Sequence, residues 1–215
     1  SFRFGDRFTN HNMNPSTVKS YIPICENHVN LQPTSNIGSG TGFSLSVYVK
    51  RTYPIKWDRV IGFSRELNPA HAANTGYDSV YLAFDTLYGS SFAYGVVNWG
   101  GHSSTTQHLQ VYTPSLFENN VETHILLVHE RNTTATIYWN NSIKATGNIH
   151  FPTDIIRNHY FLGKSTWDND AQYQGTMRDF YIWNRVLTSS ERAELYQNGH
   201  LSTDDSIASA MLTQF

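Results

Sequence analysis

Tyr160-Phe161-Leu162-Gly163-Lys164-Ser165 reads as a strand running into a polar loop. After that loop, Gly175-Thr176-Met177-Arg178-Asp179-Phe180-Tyr181-Ile182-Trp183-Asn184-Arg185 reads as a second strand, and Val186-Leu187-Thr188-Ser189-Ser190-Glu191 as the entry to a helix. Phe180 and Ile182 share one strand face by the two-residue period, whereas Met177 falls out of phase. The spacing therefore predicts a bulge near Arg178 or a strand covered on both faces. Thr188 and Glu191 stand at the spacing of a capping box, in which hydroxyl and carboxylate each satisfy the other's backbone amide. The helix is expected from about Ser189 to Gln197, with Leu195 and Tyr196 on one side and Asn198-Gly199 as a left-handed stop.

Working outward, the segment from Phe43 to Lys50 alternates Phe43, Leu45, Val47 and Val49 with polar or amphipathic partners, which marks a half-buried strand. Further strands are expected at Arg59 to Ser64, Ser79 to Thr86, Ser91 to Asn98, His108 to Thr113, Thr123 to Glu130, Ala135 to Ser142, Tyr160 to Lys164 and Tyr173 to Trp183. Val18 to Cys25, interrupted by Pro23, reads as an edge strand. Many short strands with one short helix argue an all-β, two-sheet antiparallel sandwich. Its expected core holds Phe43, Leu45, Val47, Leu126, Val128, Phe180 and Ile182. Residues 1–36 read as an N-terminal strap and residues 200–215 as a closing tail, so the 215 residues form one domain.

Composition narrows the function. Apolar residues make up 39% and aromatics 14%, which suits strands, while charged residues are only 15% and the net charge is -2. A near-neutral chain of this kind has no electrostatic footprint for nucleic acid and no basic face for anionic membranes. Cys25 is the single cysteine, so an internal disulfide and the cysteine-rich zinc patterns are excluded. No apolar run is long enough to insert in a membrane, and the N-terminus lacks a signal-peptide pattern, which reads as a mature product or a domain of something longer. Asn132-Thr133-Thr134 and Asn140-Asn141-Ser142 are glycosylation sequons suited to an extracellular or surface-exposed setting.

The Leu162-Gly163-Lys164-Ser165 strand end, the Gly175-to-Glu191 run and Phe43-Ser44-Leu45-Ser46-Val47-Tyr48-Val49-Lys50 together resemble the laminin-G-like jelly rolls of the concanavalin A-like lectin and glucanase superfamily. The resemblance spans residues 41 to 198, and it departs at Arg178, where the family has an acid that Asp179 supplies one place later. It implies a jelly-roll sandwich used as a lectin, an adhesion module or a glucanase. Retaining glucanases of this fold place catalytic acids as glutamate-x-aspartate-x-x-glutamate on one strand, and no such motif occurs here. The reading is a non-catalytic module that binds a glycan or glycoprotein; the alternatives are a protein-binding or adhesion domain and a structural spacer.

Simple parity along the expected strands puts four loops at one end of the sandwich: Leu67 to Tyr77, Trp99 to Gln107, Arg131 to Thr133 and Ser165 to Gln172. Sugar recognition needs flat aromatic faces and planar amide or carboxylate groups in rigid concave placement. These loops offer His71, Tyr77, Trp99, His102, Trp167 and Asn169 as candidate ligand-binding residues. Asp168 and Asp170, on alternate positions of one loop, are candidate ligands for calcium. Asp and Asn runs are also ordinary turn formers.

Overall fold

Period-two alternation is realised in two stacked antiparallel sheets. The computed structural model describes residues 2–3, 22–23, 35–65, 78–85, 91–100, 103–111, 117–167, 170–203, 205–206 and 208–210. In chain order the elements are β1 (Phe2–Arg3), β2 (Ile22–Pro23), β3 (Gly42–Arg51), β4 (Asp58–Ser64), β5 (Ser79–Asp85), β6 (Ser91–Gly100) and β7 (Ser103–Val111). There follow β8 (Thr123–Glu130), β9 (Thr134–Trp139), β10 (Ser142–Asn148), β11 (His159–Leu162), β12 (Gly175–Trp183), α1 (Ser189–Asn198) and β13 (Ala208–Ala210). One sheet runs β1-β12-β3-β8-β9-β10 with β13 also on β12, and the other runs β2-β11-β4-β5-β6-β7.

The space between the sheets is filled by alternate side chains: Phe43, Leu45, Val47 and Val49 from β3 face Val80, Leu82 and Phe84 from β5. Phe180 and Ile182 join them as expected. Met177 does too, because the β12–β3 register shifts between Arg178 and Tyr181, and Asp179 sits at φ 51. The bulge inserts the extra residue that restores phase. Leu126 and Val128 are buried, but on the other side of their sheet. There they pack with Tyr181, Trp183, Leu187 and Leu195 under the helix, while Ile125 and Leu127 take the inter-sheet positions. Alternation alone cannot say which of two buried faces meets the partner sheet.

The helix forms as its sequence dictates. Thr188 Oγ1 accepts from the Glu191 amide at 3.3 Å and Glu191 Oε2 accepts from the Thr188 amide at 2.8 Å, completing the capping box. Gly199, at φ 77, ends the helix by donating its amide to the Leu195 carbonyl at 2.8 Å.

Two strand boundaries differ from the expectation: β7 begins at Ser103 rather than His108, so most of the expected Trp99-to-Gln107 loop is strand, and the second lies in the hairpin that follows β8. Ala135 to Ser142 is not a single strand, because Asn140 and Asn141 both take positive φ, 48° and 60°, and turn the chain into the β9–β10 hairpin. Two consecutive left-handed residues are the primed hairpin turn that Asn accepts more readily than other side-chain-bearing residues. The extra strand reverses the direction of everything after it.

Candidate functional site

That reversal separates the loops that parity had gathered. Val97 pairs with Ser79, Phe63 with Val80 and His159 with Ser64, so the β6–β7 turn lies at the end where β4 finishes and β5 begins. Leu162 pairs with Ile61, and Arg59 bridges Gln172, so the chain leaves β11 at the opposite end. Trp99, near the end of β6, and Trp167, on the segment that leaves β11, therefore belong to opposite ends of the sandwich, and the single loop cluster is corrected on this register. Trp99 lies within β6 opposite Ser104. His71, Tyr77, His102, Asp168 and Asn169 fall outside the described residues.

Instead of standing up as a loop tip, the segment after β11 folds back across the outer face of the six-stranded sheet. Gly62 makes room for it: a Cβ there would meet the Lys164 carbonyl oxygen at 2.7 Å. Gly95 makes room for Tyr81, whose ring would lie 2.1 Å from an added Cβ. Tyr81, Ala83 and Val97 form a small apolar cluster on this face, and half-buried Trp57 and Trp167 pack against it. Trp167 meets Tyr81 edge-on, with ring centroids 5.5 Å apart and planes at 88°. Trp99 lies four residues beyond Gly95, about 13 Å farther along β6 at the usual rise per residue.

Arg59 lies at the centre of this patch and is only 5% exposed. Its guanidinium carbon is 4.1 Å from the Tyr81 ring centre, 5.1 Å from Trp167 and 5.4 Å from Trp57. Asp170 Oδ2 accepts from Arg59 Nε at 3.0 Å, from Arg59 Nη2, and from Ser165 Oγ at 2.7 Å. Trp57 adopts φ 60, a left-handed conformation that costs a bulky side chain energy and persists only where the surroundings impose it. Arg59 Nη1, Thr166 Oγ1 and Gln172 Oε1 are buried without a hydrogen-bond partner among the described residues. Sequence reasoning named Trp167 as a ligand contact and Asp170 as a calcium ligand, and did not single out Trp57, Arg59 or Tyr81, whose shared face emerges only once β4 and β5 are paired.

Asp170 does not fit a calcium ligand in this arrangement. Its Oδ2 is committed to a guanidinium and a hydroxyl, and the arginine's own charge opposes a second cation beside it. Among the described residues no three His, Cys, Asp or Glu side chains are grouped to hold a metal.

A second polar constellation lies under the helix. Ser46 Oγ is 2.8 Å from His124 Nε2, a distance at which a base could activate a nucleophile, yet Ser46 is 0% and His124 1% exposed. Burial, with a smaller contribution from Arg178, lowers His124 to about 4. The ring stacks against Tyr48 at 4.6 Å and Tyr196 at 5.9 Å, and Tyr48 Oη donates to the Leu195 and Tyr196 carbonyls. This group docks the helix and offers no substrate a path.

Comparison with known proteins agrees with the architecture. A family model described as the concanavalin A-like lectin/glucanases superfamily, laminin G type, matches residues 26–193. No curated protein matches the chain in sequence. Among solved structures, domain 4 of AbnA, a GH43 extracellular arabinanase from Geobacillus stearothermophilus in complex with arabinotriose, is 17% identical with TM-score 0.53. That match covers 74% of this chain and 68% of that one. The binding domain of botulinum neurotoxin serotype G is 16% identical with TM-score 0.54, over 83% of this chain and 40% of that one. A heptameric SAP-like pentraxin from Limulus polyphemus is 11% identical with TM-score 0.51, over 82% and 81%. At these identities the likeness is one of fold. No helix among the described residues is long and apolar enough to cross a membrane.

Proposed function

The chain belongs to the concanavalin A-like lectin/glucanase superfamily, and from that premise we propose that it is a single-domain, non-catalytic carbohydrate-binding module of an extracellular or surface-exposed protein. The observation that carries this reading is the aromatic platform on the outer face of the six-stranded sheet: Trp57 and Trp167, half-buried, braced on Tyr81 and Arg59. Indole faces held rigidly stack on the apolar side of a sugar ring at little entropic cost. Thr166 Oγ1 and Gln172 Oε1 beside them are buried polar atoms, sites for ordered water rather than for a ligand lying on this face. The complex of the arabinanase domain with arabinotriose supports glycans as the ligand class. A linear glycan running along the sheet from Trp167 is the geometry this face suits, with Trp99, Asn169, His102, Tyr77 and His71 as further candidate contacts. The absence of a paired-acid strand motif supports a binding rather than a hydrolytic role.

A glycan-array screen of the whole chain tests this, followed by titration of any hit against Trp167→Ala. Retention of one glycan class, weakened by the substitution, is the expected result; a silent array overturns it. The protein-binding alternative draws on a specific feature: Tyr53 is 58% and Val121 45% exposed, and Asn120 N–H donates to the Arg51 carbonyl, which brings their two segments together. A silent array together with loss of a protein contact in Tyr53→Ala would establish that reading.

A further inference from the structure

The loop that runs from β11 to β12 carries the Asp-rich segment a hard cation would choose, yet it is already organised around a positive charge. Asp170 Oδ2 takes two N–H donors from Arg59 and the Ser165 hydroxyl. Ser165 Oγ in turn accepts from the Trp167 amide at 3.0 Å. Backbone bonds fasten the same segment twice more: Asp170 N–H to the Trp167 carbonyl at 3.4 Å, and Arg59 N–H to the Ala171 carbonyl at 3.3 Å. The ring centres of Trp57, Tyr81 and Trp167 all lie within 5.4 Å of the guanidinium carbon.

A metal ion in such a loop would gather carboxylate and carbonyl oxygens, neutralise the acid and fix the backbone. The guanidinium performs the same work with one difference that matters for a platform. Its planar, weakly hydrated cation stacks on indole and phenol faces, which a hydrated metal ion does not do. Arg59 also lies in β4, within the sheet, so its charge is delivered from a rigid element to a loop that has no strand of its own there.

We propose that Arg59 is the built-in cation of the Trp167 loop, a positioning residue that stands where other loops of this composition would hold calcium. It holds Trp57 and Trp167 in place, and ligand binding on the platform is independent of calcium. The last clause rests on the carbohydrate reading above; the clamp itself does not.

The test uses the full chain labelled with 5-fluorotryptophan, with the Trp167 fluorine resonance assigned by its loss in Trp167→Phe. The expected result is a Trp167 resonance unmoved between excess calcium and EDTA in the wild type, and shifted in Arg59→Met and Asp170→Asn. Resonances of the buried Trp139 and Trp183 hold still in both variants, which shows that the fold is intact. Arg59→Lys keeps the charge without the fork and recovers only part of the wild-type position. Should Arg59→Met fail to fold, Asp170→Asn and Ser165→Ala carry the same reading from the other side of the clamp. A Trp167 resonance that moves with calcium in the wild type, or that stays put in the folded variants, overturns the proposal. On the glycan array, clamp variants are expected to bind a wild-type hit roughly tenfold more weakly, the size of one lost aromatic contact. A hit that needs calcium overturns the calcium-independence. A wild-type array silent throughout, with the Trp167 shifts as expected, upholds the clamp and removes only the carbohydrate reading.

Discussion

The Tyr94 hydroxyl lies 2.8 Å from His129 Nδ1, and this one contact ties the two sheets together through the middle of the core. Tyr94 comes from β6 and His129 from β8, both are 0% exposed, and Phe43 and Phe151 pack around them. An inter-sheet hydrogen bond in an apolar layer fixes how the sheets register, because losing either partner strands the other without water. Tyr94→Phe is therefore expected to destabilise the fold by about 1–3 kcal/mol, read as a lower denaturant midpoint at unchanged slope.

Acid is expected to unfold the chain through the same histidine and its counterpart under the helix. Burial lowers His129 to about 4, against a weaker upward pull from backbone hydrogen bonding at Ile149 and Thr133, and burial lowers His124 to about 4. In the unfolded chain both return to the ordinary value near 6.5. The unfolded state then binds protons first as pH falls, so stability is lost between about 6.5 and 4 and levels off below that window. Denaturation midpoints measured across that range give the slope, and His124→Gln with His129→Gln should flatten it.

The capping box gives a local test. Thr188→Ala removes the acceptor for the Glu191 amide, an expected cost of about 1 kcal/mol. Glu191 itself is held near 2 by the Arg185 guanidinium and by hydrogen bonds from Thr188. Its contribution is thus present above the ordinary carboxylate range and fades as pH falls toward 2. An unchanged midpoint in Thr188→Ala would show the helix to be held by the packing of Leu195 and the Tyr48 and His124 contacts rather than by its cap.

Behind the platform, Arg51 and Asp58 form a buried two-toothed ion pair, with Nε to Oδ2 at 2.8 Å and Nη2 to Oδ1 at 2.9 Å. Asp58→Asn removes the counter-charge and puts an NH2 donor in place of one of the two acceptor oxygens, leaving the arginine charge over the Phe84 ring with a single amide oxygen and the Ile55 carbonyl to accept from it. The expected loss is about 3–5 kcal/mol, and an apolar replacement of both partners should recover most of it in the same denaturation assay.

Gly95→Ala probes the platform through Tyr81 without altering the Arg59–Asp170 pair. The new methyl would occupy the place of the Tyr81 ring, 2.1 Å from its nearest atom, so the ring must move and Trp167 with it. Overpacking of this kind costs about 1–3 kcal/mol, and the Trp167 environment should change where Trp183 does not.

The fold is legible wherever one periodicity governs a whole segment. Phe43 to Val49 and Thr123 to Glu130 announce their strands, and Thr188 with Glu191 writes its own cap. The β9–β10 turn is harder to read because Asn140-Asn141 lacks the glycine that usually marks such a hairpin. The strand it opens is also an edge strand with half-buried or exposed side chains and little alternation to show. That single missed reversal moved the Trp167 loop to the wrong end. The clamp is invisible for a different reason: Arg59 and Asp170 stand 111 residues apart and meet only through the pairing of β4 with β11. A charged residue in a strand pattern reads as solvent-facing until the loop that buries it is placed.

The outer edge of β12 carries two short partners. Phe2 and Arg3 take Met177 and Thr176, while Ala208 to Ala210 take Ile182, Tyr181 and Phe180. Both are brief, and each shields a stretch of backbone that would otherwise offer free amides and carbonyls beside the bulge at Asp179. Peeling either one away would turn the seven-stranded sheet into an open template, so resistance to edge-to-edge association at high concentration depends on the backbone pairing of five residues.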